Sequence, residues 1–180
     1  MTTVGADLTV RPAMPADAAA LCELSTAAIR QAAAAHYSEP QLAAWAATRS
    51  VAGHRDLIER TDVFVAVDAA GDVAGFGSVA LTPSGALQRG EVDQLFVGPR
   101  HGGRGVARLL LRTIEAAALA AGVRTLVTHA SWRAVPVFER CGFSEVEVET
   151  VHLADQVLTR ALMRKPLDDR PGRPQDVGRP

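Results

Sequence analysis

Cysteine is scarce in this 180-residue chain, with only two, Cys22 and Cys141. Both fall in helix-like segments and match no metal or redox spacing, which excludes a disulfide scaffold and points to a reducing, cytoplasmic compartment with no metal. Net charge is also nearly absent, at −1, so a general nucleic-acid or membrane-surface binder is not expected. There is no uncharged apolar run of about 18 residues, and the N-terminus lacks the basic-then-apolar pattern of a secretory signal. Tyrosine occurs once, as Tyr37, which leaves few phenolic groups for proton transfer. No internal repeat is visible, and the length suits one ordinary domain with a real core.

What is present is concentrated in Val97 to Ala121, VGPRHGGRGVARLLLRTIEAAALAA, where a β-type run stops at a glycine-rich turn that feeds a strong helix. The first N–H groups of a helix lack intrahelical partners and carry partial positive charge, so glycines there let bare backbone close on a phosphate. The spacing separates three phosphate-binding patterns. Gly98 and Gly103 suit a P-loop, but Arg104 and Gly105 stand where Lys and the magnesium-binding hydroxyl belong. A dinucleotide fingerprint is weakened by Arg108, whose side chain would obstruct close helix–strand packing.

The remaining elements follow from punctuation and periodicity. Leu8 to Arg11 reads as a strand, and Pro15 with Asp17 opens a helix running to about Ala35. Ser38 and Gln41 form a capping-box pattern for a second helix carrying Trp45, and a third covers Gly53 to Arg60. Asp62 to Val67 and Val73 to Leu81 form a hairpin around Ala69 to Asp72, followed by a loop, Pro83 to Gly90, and a strand, Glu91 to Val97. A helix from Gly103 to Ala121 stops at Gly122, a strand spans Arg124 to Thr128, and a short helix, about Arg133 to Cys141, ends at Gly142. Strands near Ser144 to Leu153 and Val157 to Arg164 close residues 1–165 as one domain. Pro166 to Pro180, rich in Pro, Gly, Asp and Arg, reads as a disordered tail. The order predicts an α+β fold with a mixed sheet covered by helices on both faces.

The third pattern fits. GGRGVA, Gly102 to Ala107, resembles the Q/R-x-x-G-x-G/A signature of the GNAT superfamily of acyl-CoA-dependent N-acyltransferases. EVDQLFVGP (Glu91 to Pro99), ASWRAVPVFERCGF (Ala130 to Phe143) and LTVRPAMPAD (Leu8 to Asp17) are similar to further segments of that family, and HYSEPQLAAWA (His36 to Ala46) is similar to bacterial YafP-like acetyltransferases. The resemblance implies a twisted mixed sheet of roughly six or seven strands flanked by helices. It also implies an N-acetyltransferase that moves an acetyl group from acetyl-CoA to a primary amine of a small molecule or peptide by direct attack in a ternary complex. A non-catalytic acyl-CoA-binding regulatory module is the alternative. Monomer and homodimer are both compatible.

The resemblance maps the cofactor pyrophosphate onto Gly102, Gly103, Arg104, Gly105, Val106 and Ala107, with Arg108 and Arg100 adding charge. The pantetheine arm then lies along Leu95, Phe96 and Val97, near Ser131 and Phe138. Amine acetylation needs a base, donors at the carbonyl and help for the departing thiolate. Glu91 and Asp93 alternate with Leu95 and Val97, which places all four on one strand face. With His129, whose residue type titrates near neutrality, they are the candidate bases. Two departures stand out: Gly102 replaces the family's Gln or Arg, and Phe138 replaces the tyrosine that many members use as acid. Cys141, three residues after Phe138, reads as core. His36, Tyr37 and Trp45 are expected at the acceptor side, in a cleft made acidic by Glu91 and Asp93.

Overall fold

The structure, a computed structural model, describes residues 8–168. Seven strands form one mixed sheet in the order β1-β2-β3-β4-β5-β7-β6. They are β1 (Leu8–Pro12), β2 (Asp62–Asp68), β3 (Val73–Ala80), β4 (Glu91–Val97), β5 (Thr125–Ala130), β6 (Ser144–Leu153) and β7 (Gln156–Pro166). Only β4 and β5 run parallel, joined by the crossover helix α4 (Val106–Ala120); the other neighbours are antiparallel. The helices α1 (Ala18–Ala32), α2 (Glu39–Ala47) and α3 (Val51–Arg60) fall between β1 and β2, and α5 (Val135–Arg140) follows β5. Helices therefore cover both faces, as the α+β reading expected.

Alternation along the strands assigns each face. Val63, Val65 and Phe76 point to Leu21, Leu24 and Leu57 of α1 and α3, whereas Ala66 meets Val106, Leu109 and Leu110 of α4, joined by Ala74, the extra residue of a bulge in β3. The α4 positions Val106, Leu110, Ile114 and Ala118 recur at helical spacing and are fully buried. Gly75 makes this packing possible, because a Cβ there would lie 2.8 Å from both Val106 Cγ1 and the Phe96 carbonyl oxygen.

Asp17 does more than complement a helix dipole. Arg11 donates two hydrogen bonds to its carboxylate, at 2.8 and 2.9 Å, and the Met14 N–H donates a third at 2.7 Å. Hydrogen bonds from Arg11 hold the Asp17 carboxyl below its ordinary value, against the opposing effect of burial. A carboxyl depressed in the fold stabilises it above the unfolded-state value, here 3.8, and that contribution is lost as pH falls through the lower native value. Asp17→Asn should therefore cost about 1–2 kcal/mol at pH 7. The gap from wild type should close progressively below pH about 4, as measured by denaturant melts across pH.

The sheet also runs further than expected. Pro166 pairs with Thr125, and the Leu167 N–H donates to the Arg124 carbonyl while its side chain joins the core. The first residues of the expected tail thus complete β7 and its packing, because a proline at the end of a strand breaks no needed hydrogen bond. Residues 169–180 of that segment lie outside the described residues. No helix among the described residues is long and apolar enough to cross a membrane.

Candidate active site

The cleft exists because β4 and β5 pair for only two residues. Glu91 lies beside Val127 and Val92 beside Thr128, where the Thr128 hydroxyl donates to the Val92 carbonyl at 2.8 Å. Beyond that point Leu95 to Val97 bond only to β3, so one edge of β4 keeps free main-chain groups. A cavity of about 540 Å³ runs along this edge to the glycine turn. Leu95, Phe96, Val97, Gly102, Gly103, Gly105, Val106, Ala107, Arg108 and Ser131, which the family resemblance assigned to the cofactor, all line it.

The turn is shaped by backbone that a Cβ would strain. Gly103 and Gly105 adopt φ of +75° and +80°, and a Cβ at either would meet nothing within 4 Å. What they leave is open backbone at a helix start. The N–H groups of Gly103, Gly105, Val106 and Ala107 find no acceptor among the described residues. The helix itself begins at Val106 rather than Gly103, because left-handed glycines cannot continue it. Such a cavity suits an elongated ligand with a phosphorylated end at the turn and an amide-bearing arm along β4.

A second cavity, of about 310 Å³, lies on the other side of Trp45. Trp45, Phe96 and Ser131 line both cavities, so these three mark their junction. Tyr37 meets Trp45 edge-on at 5.7 Å, and Trp45 meets Phe96 at 6.4 Å. The Tyr37 hydroxyl donates to the Thr159 carbonyl and accepts from the Trp132 N–H, which ties the α1–α2 connection to β7. Desolvation raises the Tyr37 phenol, which therefore stays protonated at neutral pH. Asp93, Gln94 and His129 also face this second cavity, together with Arg49 and Arg160.

The three candidate bases converge, but not as strand alternation implied. Gln94 pairs with Ser78 and Val92 with Val79, so Asp93 is an extra residue in β4, a bulge, and the Ser78 hydroxyl accepts the Gln94 N–H at 3.1 Å. The bulge resets the alternation. Leu95 and Val97 pack toward α4, whereas Glu91 and Asp93 face the side of the sheet that holds His129. His129 Nδ1 lies 2.6 Å from Glu149 Oε2, and its Nε2 lies 3.7 Å from Glu91 Oε1. The other Glu91 oxygen accepts from the Gln88 N–H, and Arg160 Nε donates to Glu149 at 3.0 Å. Burial works to raise the Glu149 carboxyl, but the hydrogen bonds from His129 and Arg160 prevail and hold it below the usual range.

Several sequence expectations fail here. His36 is exposed and lines neither cavity, because α1 ends at Ala32 and the following turn carries its side chain outward. Phe138 is 2 % exposed and packs edge-on against Phe143 at 5.0 Å, in the core rather than the cavity wall. Cys141 packs against the core as expected and also lines the cavity, half-buried, with its thiol pushed up by burial and Glu115. Arg104 is not part of the cavity wall, and Arg100 lines a separate depression beside α1. The cleft is also less acidic than expected, since Arg49 and Arg160 contribute to its wall. Glu149, Arg160, Arg49 and Gln94 were not anticipated at all.

An open strand edge, a bare helix start and a second cavity meeting the first define an acyl-transfer architecture, and the chain belongs to the GNAT acetyltransferase family. The family model described as an acetyltransferase (GNAT) domain matches residues 33–154. The uncharacterized N-acetyltransferase YafP of Escherichia coli (strain K12) is 30% identical over 160 residues, covering 88% of this chain and 95% of that protein. Among solved structures, a GCN5-related N-acetyltransferase from Rhodopseudomonas palustris superposes with a TM-score of 0.80 at 30% identity, covering 93% of this chain and 100% of that one. The protein yncA of Salmonella typhimurium, solved with its cofactor acetyl-CoA, has a TM-score of 0.60 at 25% identity, covering 92% and 96%. The chain is therefore an acyltransferase.

Proposed function

We propose that this acyltransferase moves an acetyl group from acetyl-CoA to the primary amine of a small molecule, by direct attack in a ternary complex. The observation that carries the reading is the meeting of two cavities at Trp45, Phe96 and Ser131. Two reactants entering from opposite ends touch only there, which supplies the proximity that such a reaction needs. Acetyl-CoA, when bound, supplies a thioester whose C–S bond breaks as the amine forms its N–C bond, with the sulfur keeping the electron pair.

The chain's own groups do the rest. The N–H groups of Gly103, Gly105, Val106 and Ala107 hold the pyrophosphate, with Arg108 nearby, and the free edge from Leu95 to Val97 pairs with the pantetheine amides. On the acceptor side, Gln94 lines the cavity, and its buried Oε1 has no hydrogen-bond partner among the described residues, which leaves it able to accept from an amine N–H once the side chain turns toward the ligand. Asp93 attracts the cationic acceptor. With Nδ1–H donated to Glu149, His129 Nε2 is free to take the proton that the amine must lose, and the charged ring then sits between Glu91 and Glu149. The Ser131 hydroxyl, at the junction, stands where a donor to the departing sulfur is needed, a task that buried Phe138 cannot perform.

Thermal shift with acetyl-CoA, CoA, ATP and NAD, followed by thiol release from acetyl-CoA over a panel of small primary amines, tests this reading. Stabilisation by CoA species alone, with amine-dependent thiol release, is expected. Stabilisation without turnover on any amine, or by ATP or NAD alone, overturns it.

A further inference from the structure

Arg49 occupies an unusual position for a guanidinium. It lines the acceptor cavity beside Asp93, yet makes no ion pair within 4.0 Å among the described residues. Its Nε and one Nη both donate to a single acceptor, the Thr48 hydroxyl, at 3.1 and 2.9 Å. A guanidinium has five N–H donors, so on this cavity-lining side chain most of its capacity has no acceptor among the described residues. Desolvation is strong enough to pull its pKa down, in spite of the opposing influence of Asp93. Arg160, the other cation of the cavity, is already held by Glu149. Arg49 is thus the cation available to a ligand.

The rest of the wall sorts by chemistry. Asp93 and His129 offer acceptors suited to an ammonium or amine, with the Gln94 amide beside them. Tyr37, Trp45, Leu153 and Leu158 make an apolar side. A ligand matching all three surfaces carries an amine, an anionic group close to it, since Arg49 lies near enough to Asp93 to feel its charge, and an apolar substituent. Planar bidentate recognition by Arg favours a carboxylate as the anion.

We infer that the acceptor is a free α-amino acid with an apolar or aromatic side chain, whose carboxylate is held by Arg49 while its amine faces Gln94, Asp93 and His129. This rests on the acetyl-transfer reading above and narrows its substrate class. A simple alkylamine would leave the Arg49 donors unmet in a confined site.

The test compares matched triplets: L-leucine, L-leucinamide and 3-methylbutylamine, then L-phenylalanine, L-phenylalaninamide and phenethylamine. The full chain and its Arg49→Gln and Arg49→Lys variants are assayed by thiol release from acetyl-CoA. Binding is read separately as thermal shift by each compound in the presence of CoA. In the wild type, kcat/KM for the amino acid should exceed that for its amide and its decarboxylated amine by about tenfold or more. Arg49→Gln should lower kcat/KM about tenfold more for the amino acid than for the amine, and abolish the amino-acid thermal shift, while Arg49→Lys restores part of both. Equal or better turnover of the amines by wild type, or equal loss on all three compounds in Arg49→Gln, overturns the inference. Those outcomes leave acetyl transfer itself standing. Loss of the acetyl-CoA thermal shift in wild type would instead mark failure of the underlying reading.

Discussion

Gly105→Glu should abolish acetyl-CoA binding while the chain still folds. The backbone at Gly105 is left-handed, φ +80°, and a side chain there points into open space at the cavity mouth rather than into protein. Folding then bears only the strain of a non-glycine residue in that region, on the order of 1–2 kcal/mol. The ligand bears much more, because a carboxylate stands among the N–H groups assigned to the pyrophosphate. Charge repulsion and a blocked approach should weaken binding by about 100-fold or more, equivalent to about 2.7 kcal/mol. Gly105→Ala separates strain from charge: it carries the same backbone cost without the carboxylate, and should lose only a few-fold. Calorimetric titration with acetyl-CoA and a denaturant melt of each variant check both halves. Affinity in Gly105→Glu within threefold of wild type would remove the glycine turn from the cofactor site.

That turn was legible in the sequence because its message is local. Glycine spacing, the strand before it and the helical period after it lie within one short segment, and backbone conformation follows directly from residue type. The strand and helix order was readable for the same reason, with ends shifted by a few residues. The second cavity was not, because it is assembled from long-range pairings. Glu149 faces Arg160 across the β6–β7 register, and β5 carries His129 alongside β7. Neither register is encoded in the spacing of any one segment. Opposite charges on two successive strands were the signal available, but without the register they could not be placed against His129.

The bulge shows how one residue changes such a reading. Strict alternation put Glu91 and Asp93 with Leu95 and Val97, and an extra residue at Asp93 sends the acidic pair to the other face. The acids still reach the cleft, for a reason that alternation did not supply. Phe138 failed differently. In a six-residue helix, Val135 and Phe138 are the buried positions, three apart, so the ring belongs to the helix face packed on the sheet.

His129→Gln should lower kcat by about 10²- to 10⁴-fold, with KM for acetyl-CoA changed less than about twofold. The ring lines the second cavity beside the two carboxylates and does not line the cavity proposed for the cofactor, so on the proposed reading its removal touches proton transfer and leaves cofactor binding alone. Glutamine preserves hydrogen bonding to Glu149 but has no basic nitrogen. Glu149→Gln keeps the base and removes one charge beside it, and should cost about tenfold, because Glu91 at 3.7 Å still faces the charged ring. A base also leaves a mark on the pH profile: wild type should show kcat/KM falling on the acidic side, and that limb should disappear in His129→Gln. If His129→Gln retains the wild-type rate and limb while Glu91→Gln or Asp93→Asn loses them, the proton goes to a carboxylate. His129 would then be a residue that positions Glu91, held in place by the ion pair of Glu149 and Arg160.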